Sequence, residues 1–310
     1  MKTKIVIVGL GGVGGYYGGL LAKKYADDSN IEIYFVARGE HLKKVKENGL
    51  TLITENGTFV VRPTLATDNV SEIGVADYVI MTTKSYDLDA TIAQIKPCVG
   101  VNTVILPLLN GIDNSSRIRS LLPGTEVWNG CVYIVARLNE PGIVESSGNV
   151  HFMHFGYENQ TTDRLFVFEK LLRDAGIDVT YYKKILPVIW RKFFFISATA
   201  SLTSYFDVSF GALLTDKIRK ITLIKLLEEL LLVANAEGAE MDRSVIDKII
   251  HQIENLPFET TASMHSDFKR GKNTELNTLT GIVLEMGKKH EIATPTYEKV
   301  YNELCKRTTI

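Results

Sequence analysis

Near the N-terminus, Lys4-Ile5-Val6-Ile7-Val8 passes without a break into Gly9-Leu10-Gly11-Gly12-Val13-Gly14. A short β-branched apolar run predicts a buried strand, and the glycines let the backbone turn tightly into a helix. The start of such a helix offers unpaired N–H groups and the positive end of its dipole, which together hold a pyrophosphate. Taken alone, G-x-G-x-x-G is a common pattern. Here it follows a strand and precedes an amphipathic stretch, Tyr16 to Tyr25, and a second strand, Glu32 to Ala37, completes a βαβ unit. The combination predicts a dinucleotide site built from Gly9, Leu10, Gly11, Gly12, Val13 and Gly14.

The residue ending the second strand bears on which dinucleotide. An acid there accepts a hydrogen bond from the ribose 2′-hydroxyl of NAD and repels a 2′-phosphate, and a cation does the reverse. The chain reads Phe35-Val36-Ala37-Arg38-Gly39-Glu40-His41, so Arg38 favours NADP. The alternative makes Arg38 an ordinary surface residue and Glu40 the ribose acid, although Glu40 falls past the strand end.

Composition narrows the class. The chain has 310 residues, 45% hydrophobic content and a formal net charge of −1, enough length for two domains and no basic face to attract nucleic acid. Cys98, Cys131 and Cys305 are widely spaced without a C-x-x-C pair, which suits reduced thiols better than a disulfide frame or a zinc site. Met1-Lys2-Thr3-Lys4 leads directly into the first strand, so no removable signal is expected. The apolar stretches Phe193 to Leu202 and Leu226 to Ala234 are too short or too charged to span a bilayer. A cytoplasmic protein with no membrane association is the expectation.

Strand-like and helical runs alternate up to about residue 183. Strands are predicted at Tyr78 to Thr82, Thr103 to Leu106, Val127 to Ala136, Ile143 to Glu145, Val150 to Phe155 and Asp178 to Tyr181, with helices from Leu88 and over Asp163 to Ala175. This alternation predicts an α/β, Rossmann-type doubly wound sheet over residues 1–183, with some antiparallel additions. From residue 184 to 310 the pattern is helical, at Pro187 to Ser204, Leu214 to Glu237, Ser244 to Ile253, Glu275 to Lys289 and Pro295 to Lys306. An all-helical C-terminal domain after a nucleotide domain is an oxidoreductase layout.

Several polar residues stand out against this plan. Lys84 ends the run Tyr78-Val79-Ile80-Met81-Thr82-Thr83-Lys84, where strands of open α/β sheets face the ligand crevice, though a plain solvated lysine reads the same way. Asn110-Gly111 follows Val104 to Leu109 and on its own reads as a turn pair. Lys192 sits in Trp190-Arg191-Lys192-Phe193-Phe194-Phe195. It either snorkels its ammonium to solvent or is desolvated and suited to donate a proton. Glu275, in Lys272-Asn273-Thr274-Glu275-Leu276, reads first as a helix-start acid complementing the dipole. His151 and His154 lie three apart in a strand, hence on opposite faces and without further ligands at metal spacing. The Leu226 to Leu232 run with Glu228 and Glu229 has the period of a core-facing helix, and a homodimer interface there is compatible with it.

Taken in order, Gly9 to Gly14, Arg38, Lys84, Asn110-Gly111, Trp190-Arg191-Lys192, Ser263-Met264, Thr274-Glu275 and Ile292-Ala293-Thr294-Pro295 resemble the ketopantoate reductase (2-dehydropantoate 2-reductase) family over nearly the whole chain. The resemblance implies NADPH-dependent reduction of 2-dehydropantoate to pantoate, for pantothenate and coenzyme A. It makes Lys192 the general acid at the keto oxygen and Glu275 the residue that orients the lysine and bonds substrate hydroxyls. Asn110 and Ser263 would hold the 2-oxo acid, with Lys84 and Asn110 near the cofactor; Asp267, a turn beyond Ser263, reads equally as support for the site or as a solvated helix charge.

The departures concern the substrate. Family members commonly carry asparagines four and eight residues after the lysine, where this chain has Ile196 and Ala200. A third expected asparagine is Phe210. Asp87 stands where a polar residue follows the strand-end lysine, and Ser197 and Ser201 are each one position off the asparagine sites and point elsewhere around the helix. A reductase of the same mechanism acting on a less polar 2-oxo acid is therefore the alternative. From a different class, a non-catalytic NADP-binding sensor remains, although it would have no use for the proton donor Lys192.

Overall fold

The computed structural model describes residues 2–158 and 160–308. They form two compact units, Met1–Leu109 with Asp113–Ile185, and Asn110–Ile112 with Leu186–Ile310.

The first unit opens with β1 (Thr3–Val8), α1 (Gly12–Lys24), β2 (Ile31–Val36), α2 (Gly39–Asn48), β3 (Leu50–Thr54), β4 (Gly57–Val61) and β5 (Leu65–Thr67). It continues through β6 (Tyr78–Met81), α3 (Leu88–Ile95), β7 (Val104–Pro107), α4 (Asn114–Leu121), β8 (Glu126–Val127), β9 (Asn129–Glu140), β10 (Ile143–Gly156), α5 (Asp163–Asp174) and β11 (Val179–Tyr181). Six strands make an all-parallel sheet in the order β5-β2-β1-β6-β7-β8. Its central strands are buried on both faces, which is why they read as unbroken apolar runs. Ile5, Ile7, Ile33 and Phe35 enter one core, and Val6, Val8, Tyr34 and Val36 enter another on the opposite face.

The antiparallel additions expected from the sequence are a sheet of their own. β11-β10-β3-β4 form it, with β9 paired to β10. Val127 to Ala136 is not one strand: β8 joins the parallel sheet, and β9 starts afresh at Asn129 in the second. Conversely, Ile143 to Glu145 and Val150 to Phe155 are one strand, its register shifting between Ser147 and His151. Packing between both sheets also corrects the reading of α1 as amphipathic. A Cβ on Gly18 would press on Ile7 and Phe35 of one sheet, and a Cβ on Gly15 or Gly19 on Val144 or Leu52 of the other. The glycines let this helix lie close to both layers, so it has no solvent face over its middle turns. Each large apolar side chain fully buried around it, such as Tyr17 or Leu21, contributes about 1.5–3 kcal/mol.

The second unit is helical: α6 (Leu186–Phe206), α7 (Phe210–Thr215), α8 (Lys217–Ala236), α9 (Ser244–Glu254), α10 (Ser263–Lys269), a π-helical turn (Asn277–Gly281), α11 (Ile282–Lys289) and α12 (Pro295–Thr308). Long and apolar on most sides, α6 packs against α8, α10 and α12. A break at Asp216 divides the helix expected from Leu214 onward, since the Asp216 carboxylate accepts from the Arg219 N–H at 2.9 Å and caps α8. Glu229 is half-buried and accepts from the Thr296 and Tyr297 amides at the start of α12. Among the described residues, no helix is long and apolar enough to cross a membrane.

Candidate active site

The glycine loop gets its shape from backbone geometry. Gly9 has φ +90°, where a side chain is strained, and a Cβ there would also meet Thr83. Its N–H donates to the Val36 carbonyl at 3.0 Å, tying the loop to β2. The Thr82 hydroxyl lies within hydrogen-bond distance of the Val8 and Gly9 carbonyls, at 3.0 and 2.6 Å. A Cβ on Gly14 would collide with the Gly9 carbonyl oxygen and Thr82 Oγ1, whereas one on Gly11 would meet nothing within 4 Å. No side chain caps α1 and no acid lies in its first turn. By the geometry of a helix start, the amides from Gly11 to Gly14 have no intrahelical acceptor. This open, uncapped end fits a pyrophosphate.

His41, which sequence reading left without a role, ties α2 to the turn between β9 and β10. Its Nδ1 accepts from the Gly142 N–H at 2.8 Å, which puts the ring proton on Nε2. Nε2 is buried outside ordinary hydrogen-bond geometry. Burial holds this imidazole below its ordinary value, and the Leu10 carbonyl works weakly in the other direction.

Arg38, expected to end the second strand, lies two residues past β2 as the exposed N-cap residue of α2. Its Nη2 lies 3.3 Å from Asp87 Oδ2. Glu40 is also exposed, its carboxylate 3.8 Å from Lys43 on the same helix. Lys84 is half-buried in extended backbone after β6, at the head of the short 3₁₀ turn Ser85–Asp87.

In the helical unit the structure joins three residues that are distant in sequence. Lys192 is 6% exposed, and its Nζ donates to Asn110 Oδ1 at 3.0 Å. Glu275 is 2% exposed, and its Oε2 accepts from Asn110 Nδ2 at 3.5 Å, a long bond. The amide of Asn110 thus bridges an ammonium and a carboxylate, each of its two ends facing the charge it suits. Gly111, at φ +122°, turns the chain so that Asn110–Ile112 belong with this unit. Lys192 does not extend into solvent: the residue is buried and its ammonium meets Asn110. Glu275 is no solvated dipole partner either. It is buried just ahead of the π-helical turn, in whose first turn no acid lies.

That turn is held by groups the sequence offered only as off-register hydroxyls. Ser197 Oγ donates to the Leu279 carbonyl at 2.6 Å and sits 2.8 Å from the Tyr297 hydroxyl, and Ser201 Oγ is 2.8 Å from Thr280 Oγ1. A π-turn misaligns the helical ladder, and these buried hydroxyls meet it from α6, the helix that carries Lys192. The signal in the sequence was small hydroxyl residues at i and i+4 on an apolar helix. Ile196 is half-buried, Ala200 and Phe210 are buried, and the Phe210 ring meets Phe195 edge-on at 5.7 Å.

Ser263 is exposed on the first turn of α10, a helix that packs against α6. That helix is anchored two residues on, where buried His265 places Nε2 2.6 Å from Asp207 Oδ1 at the end of α6; Lys269 reaches the same oxygen at 3.0 Å. These two partners hold the Asp207 carboxyl below its usual range. His151 stacks on Tyr16 and bonds Ser146, and His154 packs edge-on to Tyr133 and Tyr182.

Comparison with known proteins bears on what such a molecule is. The family model described as ketopantoate reductase PanE/ApbA matches residues 5–160, and the one for the C-terminal part of the same family matches residues 184–307. An uncharacterised oxidoreductase of Bacillus subtilis is 29% identical over 97% of each chain. A 2-dehydropantoate 2-reductase of Halobacterium salinarum is also 29% identical, over 94% of each. A crystal structure of 2-dehydropantoate 2-reductase from Porphyromonas gingivalis W83 is 36% identical with a TM-score of 0.87, covering 98% of this chain and all of that one.

Proposed function

The chain belongs to the ketopantoate reductase family of oxidoreductases, and from that premise we propose that it reduces a small 2-oxo acid with NADPH, with 2-dehydropantoate as the substrate and pantoate as the product. The observation that carries the reading is the buried contact of Lys192 with Asn110, beside Glu275. A carbonyl reduction builds negative charge on oxygen, and a positioned ammonium both stabilises that charge and supplies the proton.

In this reading the nicotinamide, when bound, supplies the hydride to the carbonyl carbon. Lys192 Nζ gives its proton to the carbonyl oxygen, so that a 2-hydroxy acid results. Asn110 holds the ammonium in place, and Glu275 provides a compensating charge and an acceptor for substrate hydroxyls. The loop Gly9, Leu10, Gly11, Gly12, Val13 and Gly14 holds the pyrophosphate, Arg38 takes the 2′-phosphate, and Lys84 lies toward the cofactor. Ser263 and Asn110 hold the substrate. The reading extends to a cytoplasmic enzyme of pantothenate synthesis, acting as a homodimer.

A second substrate is favoured by Ile196 and Ala200, which leave the Lys192 side of α6 apolar beyond the lysine, and by Phe210 of α7, whose ring meets Phe195. They suit a 2-oxo acid with a less polar side chain, because a polar substituent there would lose hydrogen bonds it makes in water. Steady-state NADPH oxidation across a panel of 2-oxo acids separates the two. Ketopantoate giving the highest kcat/KM supports the first, and an apolar 2-oxo acid giving it supports the second. NADPH binding without turnover on any member would refute both and leave a binding protein.

A further inference from the structure

Arg38 does not stand alone at the end of β2. Asp87 occupies the N-cap position of α3, where a carboxylate ordinarily accepts from its own helix, yet it makes no such bond. It reaches instead to Arg38, 3.3 Å from Nη2. The two side chains come from the ends of β2 and of the segment following β6, strands that flank β1 and its glycine loop in the sheet. In a βαβ nucleotide unit, the end of the second strand is where the adenosine ribose is read. Arg38 is 86% and Asp87 36% exposed, so the pair adds little to folding. Its effect lies in the charge presented to a ligand.

We infer that Asp87 sets how strongly this chain separates a dinucleotide bearing a 2′-phosphate from one bearing a free 2′-hydroxyl. A 2′-phosphate recruited by Arg38 must share the guanidinium with a carboxylate already on it and meets like charge at short range. A ribose hydroxyl can donate to that same carboxylate. Arg38 and Asp87 thus act as opposed elements, one attracting the phosphate and the other penalising it. Glu40 does not serve as the second element, since its carboxylate lies toward Lys43. This inference rests on the reading that the Gly9–Gly14 loop and Arg38 take a nicotinamide dinucleotide.

The test is calorimetric titration of the full-length protein without substrate, using NADPH, NADH, 2′,5′-ADP and 5′-ADP, for the wild type and Asp87→Asn. Asparagine keeps the size and the exposure, and no cap bond is lost, so folding is expected to be unchanged. The variant should bind NADPH and 2′,5′-ADP about 3- to 10-fold more tightly, as expected for removing one nearby charge at a solvated site. NADH and 5′-ADP should bind equally or more weakly. An unchanged NADPH-to-NADH ratio in a wild type that binds both would overturn the role of Asp87 while leaving the cofactor site intact. Failure of the wild type to bind any of the four would remove the cofactor reading and this inference with it.

Discussion

The glycine loop and the Lys192 group are built by opposite means. The loop is contiguous in sequence, and its work falls to backbone: amides at the uncapped start of α1, a carbonyl pinned by Thr82, and Gly9 at a φ that side chains avoid. Lys192, Asn110 and Glu275 lie 82 and 165 positions apart along their two bonds, and side chains do everything. A backbone site tolerates changes in what it displays but not an added Cβ. A side-chain site tolerates small shifts of backbone but not the loss of one functional group.

Variants should break the comparison along that line. The largest effect is expected for Lys192→Ala, which should lower kcat on the best 2-oxo acid about 100-fold or more, since the proton donor is removed. A loss under tenfold would move the acid elsewhere. Next comes Gly14→Ala, whose methyl must displace the Gly9 carbonyl and Thr82. NADPH affinity, read by fluorescence titration, should fall about tenfold or more as the loop amides lose their aim. Ser197→Ala tests the support of the π-turn. It leaves the buried Leu279 carbonyl and Tyr297 hydroxyl short of a partner and should cost about 1–3 kcal/mol in urea denaturation, with NADPH affinity unaltered.

The smallest effect concerns pH. His41 in the folded chain titrates below its ordinary 6.5 because it is buried. Above 6.5 both folded and unfolded forms are neutral and the full stability is present. As pH falls below that value the unfolded chain takes up the proton more readily, so stability is lost toward the folded value. His41→Asn keeps an acceptor for Gly142 but cannot titrate. Denaturation at about pH 7.5 and about pH 5.5, on either side of the free imidazole value, should therefore show a shallower loss than in the wild type. Equal losses would exclude His41 as a contributor. His151, also held low by burial, supplies part of what remains.

The same contrast governs what could be read without a structure. The glycine loop was legible because strand, turn and helix start are local events, and the helical half was legible from its period. Asn110 was legible only through the family resemblance: Asn-Gly by itself is turn chemistry, and nothing local shows that its amide spans a buried lysine and a buried glutamate. Ser197 and Ser201 looked misplaced because their partners, Leu279, Thr280 and Tyr297, lie at the far end of the chain. The second sheet was hidden for a related reason. β3 pairs with β10 across some ninety residues, parallel at Thr51–Ile143 and antiparallel only in its hairpin with β4, and alternation along a strand does not say which sheet it joins. Asp87 shows the limit from the other side: the sequence marks it only as the polar position after Lys84, and the fold reveals that its carboxylate lies 3.3 Å from Arg38.

The division of labour itself is tested by NADPH titration of Lys192→Ala beside Gly14→Ala and the wild type. Lys192→Ala should keep a dissociation constant within about twofold of the wild type while failing to turn over, and Gly14→Ala should lose affinity. A Lys192→Ala protein that loses NADPH as Gly14→Ala does would contradict the account.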